Sequence, residues 1–187
     1  YSLYIAGQFS SQVLRWKRIP EGWKTEDLSM TEALLDYDAW AYDRVKDHTT
    51  KLNEEQFNQD LGEGVGSIKD KLRHLHWAEE IWARRIQGEN PGSDVPIADA
   101  TSPVAFFQSW DASRSKTFAR LRSELQGNAG KIINYQNTRG ENFEQPLWQI
   151  ILHVINHGTF HRGQVSSMHR RLTGAPVPLD IILFHRS

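Results

Sequence analysis

The sequence contains no cysteine among its 187 residues. This absence excludes disulfide bonds, thiolate nucleophiles and every metal site that depends on cysteine ligands. A bound metal ion would therefore need histidine or carboxylate ligands. Long apolar runs are also absent, because the longest is far shorter than the roughly 20 residues that span a bilayer. We therefore expect no membrane-spanning helix.

An excess of charge of one sign is missing as well. The chain has 22 lysine and arginine residues against 23 aspartate and glutamate residues. No basic stripe is interleaved with aromatic residues, as it is in many proteins that bind nucleic acid. We therefore predict that nucleic acid is not a partner. The 39% of hydrophobic residues is enough for one compact domain with its own core.

The first methionine, Met30, directly precedes a strong helical pattern. The residues before it include Arg15, Lys17 and Arg18 but lack the unbroken apolar segment of a secretory signal. We interpret residues 1–29 as an added or loosely attached leader and residues 30–187 as the domain. The absence of a secretory signal leads us to expect a cytoplasmic location.

Four stretches carry apolar residues at the three- and four-residue spacing of an amphipathic helix. Ser67 is placed as an N-cap with Asp70 in the first turn of the second stretch. In the third stretch, Ser102 is placed as the N-cap and Pro103 in the first turn. Gly174 ends the fourth. The predicted helices cover about residues 31–52, 68–87, 103–125 and 147–172.

The segment between the third and fourth predicted helices has a different pattern. The β-forming residues Ile132, Ile133 and Tyr135 precede a turn signal at Gly140. This pattern predicts a short hairpin or an ordered crossover loop. We therefore predict an all-α domain, a four-helix bundle with this hairpin or loop between helices three and four.

Three histidines follow one another at four-residue spacing on the fourth predicted helix. His153, His157 and His161 therefore lie about one turn apart on the same side of the helix. His157 and His161 fall within the apolar stripe, where an imidazole costs free energy unless its nitrogen atoms are bonded. A metal ion would satisfy one nitrogen of each ring. The alternative is a pair of core histidines bonded to buried carbonyl groups or waters, and the spacing favours neither reading.

A third ligand has to come from another helix, and we select His74 on the second. It lies at the edge of the face made by Ala78 and Ile81. The competitor His76 is about 200° away around the helix. We expect His76 to form a surface pair with Glu80, four residues later.

Other polar residues lie close to these histidines in the sequence. His153 could orient a ligand, act as an acid or base, or serve as a fourth ligand, and a plain hydrogen-bonded role is equally consistent with its place. Arg162 and Gln164 are expected on the surface of the helix rather than at the ion. Glu79 is expected to project away from His74. His169 has no partner nearby in the sequence and is expected near the surface.

Three segments carry a family resemblance. They are residues 37–44, residues 66–74 and, above all, residues 146–164, which contain H-G-T-F-H-R-G-Q from His157 to Gln164. The chain resembles the DinB family, also called DinB/YfiT-like proteins. The resemblance implies a four-helix bundle that binds zinc, nickel or a similar ion through His74, His157 and His161, often in a homodimer. Members of this family differ in activity, and thiol transfer, isomerisation and hydrolysis all occur.

Three neutral histidine ligands leave at least one coordination position open, as in catalytic sites. We therefore expect one divalent transition metal ion in a metal-dependent enzyme that acts on a small molecule by hydrolysis or thiol transfer. Peptidase activity is not expected, because Gly158 stands where the H-E-x-x-H motif places its glutamate. The alternative is a non-catalytic metal-binding protein of the stress response.

The chain ends in an unusually apolar segment, residues 176–184. So many adjacent apolar residues rarely stay exposed. We predict that this segment packs on the bundle or at a dimer contact. Tyr37 and Trp40, at helical spacing on the first predicted helix, are interpreted as core residues.

Overall fold

The computed structural model describes the backbone of residues 25–187 and the side chains of residues 29–187. The predicted leader, residues 1–29, lies almost entirely outside the described residues. The described part of the chain forms six helices and a two-stranded sheet. The elements are α1 Thr25–Thr49, α2 Glu54–Asn58, α3 Ile68–Ile86, α4 Pro103–Asn128, β1 Ile132–Gln136, β2 Asn142–Pro146, α5 Leu147–Thr173 and α6 Ile181–Phe184.

The four long helices, α1, α3, α4 and α5, correspond to the four that the apolar spacing predicts. The side chain of Ser67 accepts a hydrogen bond from the backbone of Asp70, whose carboxylate accepts from Ser67 in return. Gly174, with a φ of 86°, ends α5 in the left-handed conformation that favours glycine. α1 begins at Thr25, earlier than predicted, and ends at Thr49 rather than near Leu52.

Two short helices were not predicted from the sequence. α2 is capped by Asn53 and buries Phe57 completely against α4. α6 comes near the C-terminus, after the predicted end of the bundle. Both are too short for a helical repeat to be visible, since each spans hardly more than one turn.

The long helices enclose the core. α1 and α3 each pack against both α4 and α5. The core has two apolar clusters, one around Trp110, Phe106 and Phe57, and one around Leu35 and Ile151. None of the helices described is long and apolar enough to cross a membrane.

The segment between α4 and α5 is the predicted hairpin rather than a crossover loop. β1 and β2 pair antiparallel, with Ile133 opposite Gln145. Ile133 is buried in the second apolar cluster. The backbone amide of Leu147 donates to the carbonyl of Lys131 at 2.8 Å, so the hairpin leads directly into α5 and sets where that helix begins.

Each long helix contributes one charged residue to a buried ionic network. Asp38 comes from α1, Glu79 from α3, Arg114 from α4 and Arg162 from α5. Arg114 donates to both carboxylates, and Arg162 donates to Asp38. The indole Nε1 of Trp110 donates to Glu79 at 2.9 Å. The network therefore connects all four long helices to one another.

The network corrects the prediction for Arg162. Arg162 was expected on the surface, but its residue is only 3% exposed because its guanidinium reaches the carboxylate of Asp38. Glu79 is buried and paired with Arg114. Burial raises the pKa of Glu79, and the charge of Arg114 opposes that rise. Burial would also raise the pKa of Asp38, but the two arginines outweigh it and the pKa lies below its ordinary value.

The C-terminal segment packs on the long helices, in agreement with the prediction that it would not stay exposed. Val177 is buried in the core, and its carbonyl accepts a hydrogen bond of 2.7 Å from the hydroxyl of Ser166. The hydroxyl of Tyr37 donates to the carbonyl of Leu179 at 2.7 Å. The ring of Phe184 lies 6.0 Å from that of Tyr37. This segment thereby covers part of the groove between α1 and α5.

Candidate metal centre

Three imidazoles meet where α3 lies against α5. His74 comes from α3, and His157 and His161 come from successive turns of α5. One ring nitrogen of each lies within 4.8 Å of the others. The ring centroids of His157 and His161 are 4.4 Å apart, as the four-residue spacing on one helix predicts. His74, the ligand selected from a different helix, completes the group.

The spacing of the nitrogen atoms fits a metal ion. The Nε2 atoms of His74 and His157 are 3.2 Å apart although 83 residues separate them in the chain. Two imidazole nitrogens at the usual zinc distance and a tetrahedral angle lie about 3.3 Å apart. The pair therefore stands close to the separation that two ligands of one ion require. Within the described residues, the group contains no carboxylate.

The electrostatics of the site keep the three rings neutral. Burial, and after it the charges of the neighbouring histidines, together lower the pKa of His157 to about 4. The pKa of His74 is also lowered by burial, then by His161 and Lys71. The pKa of His161 is lowered by burial despite the opposing hydrogen bond to Gln164. Neutral imidazole is the form that binds metal ions, so near neutral pH few protons compete for the site.

Gln164 contacts the three-histidine group, which the sequence reasoning did not predict. Its Oε1 lies 2.7 Å from Nδ1 of His161, which must therefore carry the hydrogen and donate. That bond leaves the Nε2 lone pair of His161 free and holds the ring in place, as partners of metal-binding histidines do. Gln164 was assigned to the surface of the helix. The three-residue spacing from His161, which places the two side chains side by side, was the signal for the bond.

Aromatic side chains flank the site. The ring of Trp77 stacks on that of His74, with centroids 5.9 Å apart, and its Nε1 donates to the carbonyl of Ser93. Phe160 is 62% exposed and its ring lies 5.0 Å from that of His161. His74 is itself exposed, whereas His157 and His161 are half-buried. A small molecule could therefore reach the three rings from solvent.

His153 stays outside the three-histidine group. Its ring lies 5.7 Å from that of His157 and 5.2 Å from the indole of Trp82. Burial of part of the ring, and then the charge of Arg85, lower its pKa. The role of His153 beside the ligands, as acid, base or orienting group, stays a prediction.

His76 is not a surface residue. It is 2% exposed and stacks on Trp110 at 5.3 Å between centroids. Its Nδ1 accepts from the backbone amide of Ala98, and its Nε2 lies 2.8 Å from the hydroxyl of Ser113. Glu80 is a neighbour at 3.8 Å, so the predicted partner is right but the predicted exposure is wrong. The core supplies the other partners, and none of them is near in sequence.

His169 is likewise buried, although it was expected near the surface. Its Nδ1 lies 2.7 Å from the carbonyl oxygen of Ala175, beyond the end of α5. Its ring also meets that of His48, with centroids 5.5 Å apart. The residues that follow α5 therefore cover the side chain of His169. The sequence pattern of α5 alone does not reveal this cover.

Comparisons with known proteins agree on one family. The family model described as the DinB family matches residues 26–187. Protein DinB of Bacillus subtilis (strain 168) is 22% identical over 157 residues, which are 81% of this chain and 91% of that protein. The crystal structure of a DinB-like protein from Bacillus cereus ATCC 10987 superposes with a TM-score of 0.60 at 19% identity, over 79% of this chain and 95% of that one. This likeness supports the fold.

Proposed function

Because the chain belongs to the DinB family, we propose that it binds one divalent transition metal ion, zinc or nickel, and acts as a metal-dependent enzyme on a small molecule. The resemblance predicted from the signature between His157 and Gln164 is confirmed by the family match. We further propose that the four long helices form the four-helix bundle of this family.

The observation that carries the proposal is the convergence of His74, His157 and His161 from two helices. Three neutral nitrogen donors without a carboxylate suit zinc and nickel equally well. Three protein ligands also leave room for an exchangeable ligand, which a closed structural site does not. The exposed side of the group, between Trp77 and Phe160, is where such a ligand would enter.

When bound, an ion at this place supplies Lewis acidity, which serves hydrolysis or thiol transfer. The protein's own contribution is orientation and proton handling. Gln164 holds the ring of His161 through its Nδ1 hydrogen. His153, neutral because its pKa is lowered, stands one helical turn from His157 and can accept a proton from a group bound beside it.

A non-catalytic metal-binding role in the stress response is the second candidate. The absence of a carboxylate from the described group favours it, since many catalytic sites pair the ion with an acidic general base. In that case the ion would serve mainly to join α3 to α5. Removal of the ion would then lower the melting temperature without loss of any turnover.

Elemental analysis tests the metal site directly. The protein is purified without contact with a nickel column, beside a His157→Ala, His161→Ala double variant and a His185→Ala control. His185 is exposed and lies outside the three-histidine group. We expect about one equivalent of metal in the parent and the control and little in the double variant.

Absence of metal from the parent, even after zinc and nickel are offered, would contradict the proposal. If the ion is present, the loaded protein is screened against ester, amide and thiol-transfer substrates. Activity that disappears in the double variant supports the enzyme, and a metal-bound protein without turnover supports the second candidate. Sedimentation of the same samples checks the predicted homodimer.

A further inference from the structure

Arg85, near the end of α3, is a buried cation without a counterion. It is 5% exposed, and among the described residues only two other arginines, Arg114 and Arg162, are buried as deeply. Arg114 and Arg162 are both paired with carboxylates of the ionic network. Within the described part of the chain, the side chain of Arg85 has neither a carboxylate partner nor a hydrogen bond. A buried charge in this situation costs free energy.

Two aromatic rings hold the guanidinium of Arg85 in place. Its central carbon lies 4.8 Å from the ring centroid of Trp82 and 5.2 Å from that of Tyr135. Such cation–π contacts offset part of the cost of burial. Burial nevertheless lowers the pKa of Arg85, and Tyr135 alone opposes that shift. The rings also supply no oxygen acceptor for the five N–H groups that a guanidinium carries.

The terminal nitrogen atoms of Arg85 are the ones that a ligand can reach. Nε is closed off from solvent, whereas the two terminal nitrogens, also without an acceptor among the described residues, keep accessible surface. A guanidinium presents its N–H groups in a planar fork that fits the oxygen atoms of a carboxylate or a phosphate. Because the two rings already orient this fork, an anion could bind it without rearrangement of the side chain.

Arg85 lines a cavity between the end of α3 and β1. The volume of the cavity is about 450 Å³, within the range of about 300–1,000 Å³ that is usual for small-molecule sites. Its polar lining residues are cationic or carry an amide, and none is acidic: Arg85, Gln87, Asn90, Lys131 and Asn134. Oδ1 of Asn90 accepts from the backbone amide of Gln136 at 2.8 Å, which leaves the NH₂ group of Asn90 to donate. The lining is therefore rich in donors and lacks negative charge.

Acidic side chains in the neighbouring segments are engaged elsewhere. Glu89, in the loop after α3, lies 3.7 Å from the guanidinium of Arg84. Glu124 on α4 lies 3.1 Å from Nζ of Lys131, and the two side chains of this pair are 33% and 47% exposed. An ion pair so open to solvent contributes little. Lys131 can therefore turn to an anion in the cavity at small cost.

We propose that this cavity binds the oxyanion group, phosphate or carboxylate, of a small polar molecule, with the terminal N–H groups of Arg85 as its main donors. Lys131 is the second cation of the site. The amides at the wall suit the polar, uncharged part of such a molecule. None of the three histidines lines this cavity. The site therefore depends neither on a metal ion nor on the proposed enzymatic function.

Calorimetric titration of the full chain with inorganic phosphate and, separately, with succinate tests the proposal at constant ionic strength. One saturable site is expected, and the anion that binds assigns the ligand class. Arg85→Met keeps an apolar side chain beside the two rings but removes the charge and the donors, so it should weaken binding roughly tenfold or more. Arg84→Met is the matched control. It removes the same charge one residue away, from a side chain that pairs with Glu89 outside the cavity, and the affinity should not change.

A second pair of variants guards against a folding defect in Arg85→Met. Lys131 is exposed, so Lys131→Met should fold as the parent does and weaken binding about two- to fivefold. Lys116→Met, exposed on α4 and outside the cavity, is its control. The His157→Ala, His161→Ala variant should bind the anion with the affinity of the parent, so a failed metal site leaves this result intact.

Several results would overturn the inference. Neither anion binding to a saturable site on the parent would remove it outright. Equal affinity in Arg85→Met and Arg84→Met would show that Arg85 is not the donor, and if Arg85→Met does not fold, unchanged affinity in Lys131→Met decides against the site. Loss of binding in the double histidine variant would mean that the anion binds at the three-histidine group instead.

Discussion

The Cβ atom that Gly158 lacks would lie 2.9 Å from Oδ1 of Asp38, a residue on a different helix. This added Cβ atom would also lie 2.8 Å from a terminal nitrogen of Arg162. The glycine between the two histidines of the signature thus allows α5 to approach the buried ion pair. The candidate metal ligands of α5 and the ionic network therefore share one short piece of backbone.

Gly158→Ala should destabilise the protein. The added methyl group has no space beside the ion pair, and overpacking of this kind costs about 1–3 kcal/mol. Gly163→Ala is the matched control, because nothing lies within 4 Å of the new methyl group. That change should stabilise α5 by about 0.5–1 kcal/mol, since glycine is a poor helix former. Urea unfolding measures both, and equal shifts in the two variants would contradict the explanation.

Gln164→Leu should weaken metal binding without unfolding the protein. The change removes the acceptor for the Nδ1 hydrogen of His161, and loss of such a partner costs about 10- to 100-fold in metal affinity. Gln164→Glu keeps an acceptor and should stay near the parent. Ser167→Leu, exposed on the same helix, is the control. Competition with a coloured chelator measures the affinity, and an unchanged value in Gln164→Leu would exclude this role.

The stability of the metal-free protein should fall in acid partly because of His157. Its pKa is about 4 in the folded chain, against an ordinary value of 6.5. As the pH falls below 6.5 the unfolded chain gains a proton at this ring that the folded chain does not yet bind. The stabilising contribution of the neutral ring is therefore present above pH 6.5 and is lost as the pH falls through about 4.

Comparison with His157→Gln isolates this effect. The free energy of unfolding is measured for both proteins, without metal, from about pH 7.5 to about pH 4.5. The parent should lose more stability over this interval than the variant, which has no group to titrate at that position. Parallel curves would mean that the ring of His157 is as accessible to protons in the folded chain as in the unfolded chain.

A chain that ends at Thr173 should be less stable than the complete one. It loses the buried side chain of Val177 and the hydrogen bond from Tyr37 to Leu179. Complete burial of one valine contributes about 1.5–3 kcal/mol, so the loss should be at least about 2 kcal/mol. A chain that ends at Phe184, and lacks only exposed residues, is the control. Identical urea midpoints for the two shortened chains would show that the segment does not support the core.

Much of the fold could be predicted from local pattern. Ser67, Ser102 and Gly174 mark helix ends by interactions within a single turn, and all three stand where expected. The pairing of His157 with His161 follows from four-residue spacing alone. The hairpin was visible as a run of β-forming residues, but its choice over a crossover loop needed the pairing of β1 with β2.

The errors concern polar residues whose partners are far away in the chain. Arg162 was placed on the surface because helical spacing set it apart from the ligands, yet its partner Asp38 lies 124 residues earlier. His76 was expected to be solvated, but Ala98, which lies 22 residues later, supplies a hydrogen bond in the interior. A long side chain can reach across a core to a partner on another element. The helix face on which a residue lies does not reveal the identity of that partner.

The sequence by itself determined the long helices, their caps and the two candidate ligand positions on α5, because these depend on residues within one or two turns of one another. It also indicated His74, through its place on the apolar edge of α3. Only the tertiary structure decided that the Nε2 atoms of His74 and His157 approach to 3.2 Å, that a side chain at position 158 would meet Asp38 and Arg162, and that a cavity opens behind α5. These features arise where separate helices pack together, and no local spacing specifies how closely they approach.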